Sequence, residues 1–227
     1  MRTTSRPFRL SFIAVLSVLA CSGGEPQTAF ADSGPAASAA SVESAPGEAF
    51  RFVLAPTGNA VRYRVRERLV GRELPNDAVG ETRNITGAIA IDSSGKVIRD
   101  ASRFVVDAGT FVSDNNRRDG YVRARLLETE VHPEIVLVPA EVRGVSLPLP
   151  TSGTWPIEVT GDLTVRGVTR PTTWKGTAQF QDGRLTGSAA TAFTFNDVQM
   201  EQPRVRVLLS VADTIRLEMD FNLVRQK

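Results

Sequence analysis

From Phe50 onward the chain alternates apolar and polar residues at a period of two. Val61, Tyr63, Val65 and Leu69 are interleaved with Arg62, Arg64, Arg66 and Arg68, so the apolar groups share one strand face and the guanidinium groups the other. Glu67 is the single exception on the apolar side. The period returns in Ile85, Gly87, Ile89 and Ile91, then in Trp155, Ile157, Val159, Leu163 and Val165. It continues through Trp174, Gly176, Ala178 and Phe180, through Leu185, Gly187, Ala189, Phe193 and Phe195, and through Ile215, Leu217, Met219, Phe221 and Leu223. Turn signals separate these runs: Asp92-Ser93-Ser94-Gly95, Arg166-Gly167-Val168 and Gln181-Asp182-Gly183, whose Asp-Gly is a hairpin signature. Adding Ser102 to Val106 and Ile135 to Val142 predicts an all-β domain of about eight antiparallel strands. A single short helix is expected within Arg117 to Thr129. Eight strands suffice to close a barrel whose interior either fills with side chains or holds one small ligand, but alternation does not separate a barrel from a sandwich.

Ahead of the strands the pattern changes. Ser11 to Ala20 is an apolar run preceded by Arg2, Arg6 and Arg9, too short to span a bilayer and suited to the core of a signal peptide over residues 1–20. The chain is therefore expected to be exported. Val18-Leu19-Ala20-Cys21 has the form of a bacterial lipobox, which makes Cys21 the candidate lipid attachment site and the protein a membrane-anchored lipoprotein; Ala29-Phe30-Ala31 is the competing site for plain secretion. Residues 21–49, rich in Ser, Ala, Gly and Pro, read as a flexible tether, leaving 50–227 as the folded domain.

Composition narrows the function classes. The formal charge of +2 comes from the leader: without its three arginines the 27 basic side chains no longer exceed the 25 acids, and the main argument for a polyanion such as nucleic acid disappears. One cysteine excludes an internal disulfide framework, and one histidine, His132, leaves neither a zinc set nor a pairing of nucleophile and base in evidence. The carboxylate pairs Asp114 with Asp119 and Glu128 with Glu130 lie in a polar connection, where solvated charge is the commoner role. No catalytic residue, metal or cofactor is expected. The arginine row at 62, 64, 66 and 68 suits either phosphate binding or, more simply, pairing with acids on neighbouring strands.

Three strings carry a family resemblance. Gly161-Asp162-Leu163-Thr164-Val165-Arg166-Gly167-Val168-Thr169-Arg170-Pro171, followed by Trp174, resembles the signature hairpin of the YceI-like lipid/polyisoprenoid-binding family. Arg118-Asp119-Gly120-Tyr121-Val122-Arg123, leading to His132-Pro133-Glu134-Ile135, is similar to the family's helix and following strand, with Tyr121 where histidine is commoner. Asn59-Ala60-Val61-Arg62-Tyr63-Arg64-Val65 resembles its opening strand, with Asn59 in place of the usual serine. The resemblance implies a lipocalin-like antiparallel β-barrel with an elongated apolar cavity for an isoprenoid or similar lipid tail, in a periplasmic or membrane-anchored protein of the bacterial cell envelope. Tyr63, Phe104, Trp155, Trp174, Phe193, Phe195, Met219 and Phe221 are the large inward candidates for lining such a cavity. The same period-two pattern describes a filled core, so a structural envelope lipoprotein without ligand stands as the alternative.

Overall fold

A computed structural model of the chain describes residues 48–226. The leader, Cys21 and the tether up to residue 47 lie outside the described residues. The strand segments are β1 (Glu48–Leu54), β2 (Ala60–Leu69), β3 (Asn76–Thr82), β4 (Ile85–Asp92), β5 (Arg103–Asp107), β6 (Val112–Ser113), β7 (Glu134–Arg143), β8 (Ser152–Val165), β9 (Val168–Gln181), β10 (Arg184–Thr194) and β11 (Leu208–Gln226). All pairings are antiparallel, and β1 pairs with β11 as well as with β4, so the sheet closes on itself.

Eleven segments make an eight-stranded ring because three of the strands are interrupted. β1 and β2 run in line along β11, with Leu54 opposite Leu223 and Ala60 opposite Asp220; β3 and β4 run in line against them, and β5 and β6 follow in the same way. The first interruption is stapled by Asn59. Its amide donates to the Ala55 carbonyl at 2.7 Å and its side-chain oxygen accepts from the Asn222 backbone at 2.8 Å, while Asn222 donates to the Thr57 carbonyl. A buried side chain thus supplies the partners that the broken ladder lacks.

The two hairpins read from sequence are present. Arg166-Gly167 and Asp182-Gly183 occupy the left-handed region at φ of 49° and 73°, and 50° and 75°, as the two-residue turns that match strand twist require. β8 and β9 pair along their whole length, from Val165 with Val168 to Ser152 with Gln181. The β9–β10 ladder is shorter. It runs from Gln181 with Arg184 only as far as Lys175 with Ala190, and beyond that point the strands diverge. In this register the odd-numbered β9 residues present their backbone groups to β10. Pro171 falls in that series and has no N–H to donate, which accounts for the ladder stopping short of it. A hydroxyl pair, Thr172 with Thr191 at 2.8 Å, bridges the gap.

The expected helix is α1 (Asn116–Tyr121), continued by a π-helical segment over Val122–Leu127. Asn115 caps it by accepting from the backbone of Arg117 and Arg118. The segment ends at Glu128, which has φ 50°. Val122 and Leu127 are buried against the inward face of the ring and partly cover one end of it. The strands missing from the sequence reading are β1, β3 and the two-residue β6; β3 (NDAVGET) has no apolar alternation of its own and is held by its full pairing with β2.

Candidate functional site

The inward face of the ring is apolar, and the space inside it is divided. An upper cavity of about 380 Å³ is lined by Phe52, Ile89, Phe104, Trp174, Met219 and Phe221, with Ser94 and Ser146 among its few polar neighbours. A lower cavity of about 500 Å³ opens at the opposite end, between α1 and the 203–211 segment, and is continued inward by a small pocket of about 70 Å³ that shares Tyr63, Val65 and Phe195 with it. β11 shows the order along the barrel: Leu208 and Val211 line the lower cavity, Ile215 and Leu217 the small pocket, and Met219 to Leu223 the upper cavity. At 3.3 Å per residue this sequence covers about 50 Å of strand.

Between upper cavity and small pocket the side chains touch one another. Val61, Ile85, Val106 and Leu163 belong to the buried core and line none of these three spaces. Along β8, Leu163 lies between Val159 of the upper cavity and Val165 of the small pocket, and along β2 Val61 precedes Tyr63. The interior is two chambers with a packed layer between them.

The sequence candidates distribute accordingly. Phe104, Trp174, Met219 and Phe221 line the upper cavity; Tyr63, Phe193 and Phe195 line the small pocket, with Tyr63 and Phe195 reaching the lower cavity. Trp155 is the correction. Its register opposite Ala178 puts it on the inward-facing side, but it sits near the start of β8 and is 40% exposed, lining none of the three spaces. Period two assigns a face; it does not say where along the barrel that face still has an opposite wall. The reading missed Val145, Leu147 and Leu149, which line the upper cavity from the connection between β7 and β8. Their alternation with Gly144, Ser146 and Pro148 was the available signal, hidden in a proline-containing loop.

Small residues shape the upper cavity. Ala178 and Ala189 line it and are flanked by Gly187 and Gly176 in register. A Cβ at Gly187 would stand 2.1 Å from the Thr177 carbonyl oxygen, and one at Gly176 only 1.9 Å from that of Ser188. These two glycines therefore permit close approach of β9 and β10 as well as leaving room beside the alanines.

The lower end holds the polar groups. Glu67, the odd acid on the apolar face, is 7% exposed and pairs with Arg118 at 2.9 Å; Arg118 also meets Asp114. Asp119 is buried and accepts from the Ser113 backbone and hydroxyl, so it acts as a structural acceptor holding α1 against β6. Tyr63 stacks at a tilt on Phe111, ring centres 5.5 Å apart, and burial pushes its phenol up to about 12. Glu128 binds Arg166 at 2.6 Å, tying the β8–β9 turn to the end of the π-helical segment, and His132 lies where a side chain on Gly167 would go. On the outer face Arg62 bridges Glu81 and Asp220 at 2.7 and 2.6 Å, Arg64 reaches Asp77 and Glu218, and Arg66 reaches Asp77 at 2.9 Å. Hydrogen bonds from Arg66 to Asp77 and from Arg62 to Glu81 hold both carboxyls below their ordinary values. Three of the four arginines in the row are thus committed to neighbouring strands.

A family model described as the YceI-like domain matches residues 52–223. The chain belongs to the YceI-like domain family. Among solved structures, a polyisoprenoid binding domain from Saccharophagus degradans is similar at a TM-score of 0.61 and 14% identity, covering 77% of this chain and 98% of that one. Burkholderia cenocepacia BcnA is similar at a TM-score of 0.54 and 12% identity, covering 74% and 98%. Comparison with curated proteins gives no significant match. The shared feature is the fold, and the motifs of this YceI-like domain acquire structural roles. The signature hairpin is the β8–β9 turn anchored by Arg166, the helix string supplies the Arg118–Glu67 pair and the Asp119 acceptor, and Asn59 staples the interrupted first strand.

Proposed function

We propose that this YceI-like domain binds a long apolar lipid of the polyisoprenoid class inside the barrel and holds or carries it without covalent change. The observation that supports this most directly is the upper cavity, whose volume of about 380 Å³ falls in the range of small-ligand sites and whose walls are almost wholly hydrocarbon. Each five-carbon isoprene unit buried there gains roughly 3 to 4 kcal/mol before the costs of association. The S. degradans neighbour, a polyisoprenoid binding domain, is consistent with that choice of ligand. The setting we propose is the bacterial cell envelope, reached by the signal peptide and held there through acylation of Cys21; the paired acids and the outward His132 are given no catalytic part.

Mass spectrometry of an organic extract from the purified protein, followed by titration of the delipidated protein with a radiolabelled isoprenoid, tests the proposal. A reproducible isoprenoid and saturable one-to-one uptake are expected. A lipid-free barrel that also takes up no added isoprenoid overturns it and favours a structural envelope protein with a filled core. The packed layer of Val61, Ile85, Val106 and Leu163 is the observation on the side of that second reading.

A further inference from the structure

The rim of the lower cavity differs from the rest of the surface. The β2 end and the segment leading into β11 meet there, joined by the Val70 N–H donating to the Val207 carbonyl at 3.0 Å. Of the eight large hydrophobic residues that stand exposed among the described residues, five cluster on this rim: Val70, Leu74, Val205, Val207 and Leu209, the last two each 62% exposed. Arginines alternate with them. Arg68, Arg72, Arg204 and Arg206 are exposed, and among the described residues none of them is joined to a carboxylate by an ion pair, although most of the outer arginines in the barrel wall are. Within residues 68–74 and 203–209 the only acid is Glu73.

A contiguous apolar patch is unusual on a resting surface, and the exposed guanidinium groups beside it, well hydrated on their own, leave their charge free to meet an anion. Together they match one partner, a bilayer with anionic headgroups, in which the aliphatic side chains enter the acyl boundary and the arginines meet phosphate. Val70, Val205 and Val207 also line the lower cavity, so its opening would face the membrane. We propose that this rim is a membrane-docking surface for anionic bilayers, seating the lower cavity directly on the lipid phase. A lipid tail leaving the bilayer would then meet hydrocarbon walls without crossing water.

The test uses the exported full chain carrying Cys21→Ser, so that no acyl anchor contributes, in flotation with vesicles of phosphatidylethanolamine and phosphatidylglycerol at three to one or of phosphatidylcholine alone. Binding to the anionic vesicles is expected to exceed that to neutral ones by at least about 30-fold at low salt, at about fivefold per arginine, and to weaken as salt is raised. Arg204→Gln with Arg206→Gln lowers it by about 30-fold, at about fivefold per arginine. Val207→Ser with Leu209→Ser lowers it on both vesicle types, and thermal unfolding verifies that these surface variants remain folded. Equal binding to the two vesicle types overturns the proposal, as do variants that float like the parent. So does a stable dimer that the rim substitutions dissociate, because the surface is then covered by a second copy of the chain.

Discussion

Replacing Ala189 with leucine separates ligand space from core packing. Ala189 lines the upper cavity and faces Gly176 on one side and Met219 on the other in register, so a longer side chain here extends over a glycine into open volume. Leucine adds three carbons, and burying them in a void contributes up to about 2.4 kcal/mol at 0.8 kcal/mol per carbon. For a domain of this size that is a rise in Tm of up to roughly 5 to 10 °C. The same three carbons displace ligand, so isoprenoid affinity falls by about 50-fold, from the equivalence of 1.4 kcal/mol with a factor of ten. Differential scanning fluorimetry reads the first quantity and titration of the delipidated protein with a labelled isoprenoid the second. A variant that is more stable yet binds as tightly as the parent refutes placement of the ligand in the upper cavity. Loss of stability refutes the claim that the side chain points into free space.

Three further outcomes follow from the same geometry. Glu67→Ala leaves Arg118 with only the exposed carboxylate of Asp114 and is expected to cost about 3 kcal/mol by urea unfolding, and a loss under 1 kcal/mol would mean that Asp114 suffices to hold the guanidinium. In a Tyr121→Phe variant Tyr63 is the sole tyrosine, and its ultraviolet titration should have a midpoint near 12. Because the unfolded phenol ionises near 10, stability is unaffected below that pH and declines as pH rises toward 12; a midpoint below 10.5 contradicts the burial described. With Trp155→Phe the remaining tryptophan, Trp174, reports only on the upper cavity, so its emission should shift when an isoprenoid is added and stay fixed when the ligand lies elsewhere.

What the sequence shows depends on whether a segment has one wet and one dry face. β2, β8, β9, β10 and β11 do, and their alternation alone places them and their inward residues. β3 has two such faces as well, but its buried positions are the small residues Ala78, Gly80 and Thr82 while Val79 lies on the outer side, so no apolar alternation marks it, and its charge pairs with β2, such as Arg62 with Glu81 and Arg64 with Asp77, are read only from the partner strand. The family strings supplied the ring that periodicity alone left undecided. Division of the interior into chambers was invisible for another reason: Val61 and Leu163, which close it, are the same residue types at the same period as Val159 and Leu185, which line it. Only axial height distinguishes them, and height follows from strand stagger. Glu67 was visible as an exception to the pattern, but its partner Arg118 is 51 residues away and comes from a helix.

The divergence of β9 from β10 has a bearing on solubility. A closed ring offers neighbouring molecules no strand edge to pair with, whereas the stretch of β9 past Lys175 is an edge reopened in the wall, as is the part of β3 that the two-residue β6 leaves uncovered. Edges of that kind template sheet growth between chains. Pro171 occupies the middle of the β9 edge and withholds the amide hydrogen that an incoming strand would need, and the Thr172–Thr191 bridge keeps the two lips of the opening together. The proline of the signature hairpin is, in this light, a gatekeeper against aggregation: its replacement by an ordinary β-former would leave the upper cavity intact and make the protein stick to itself.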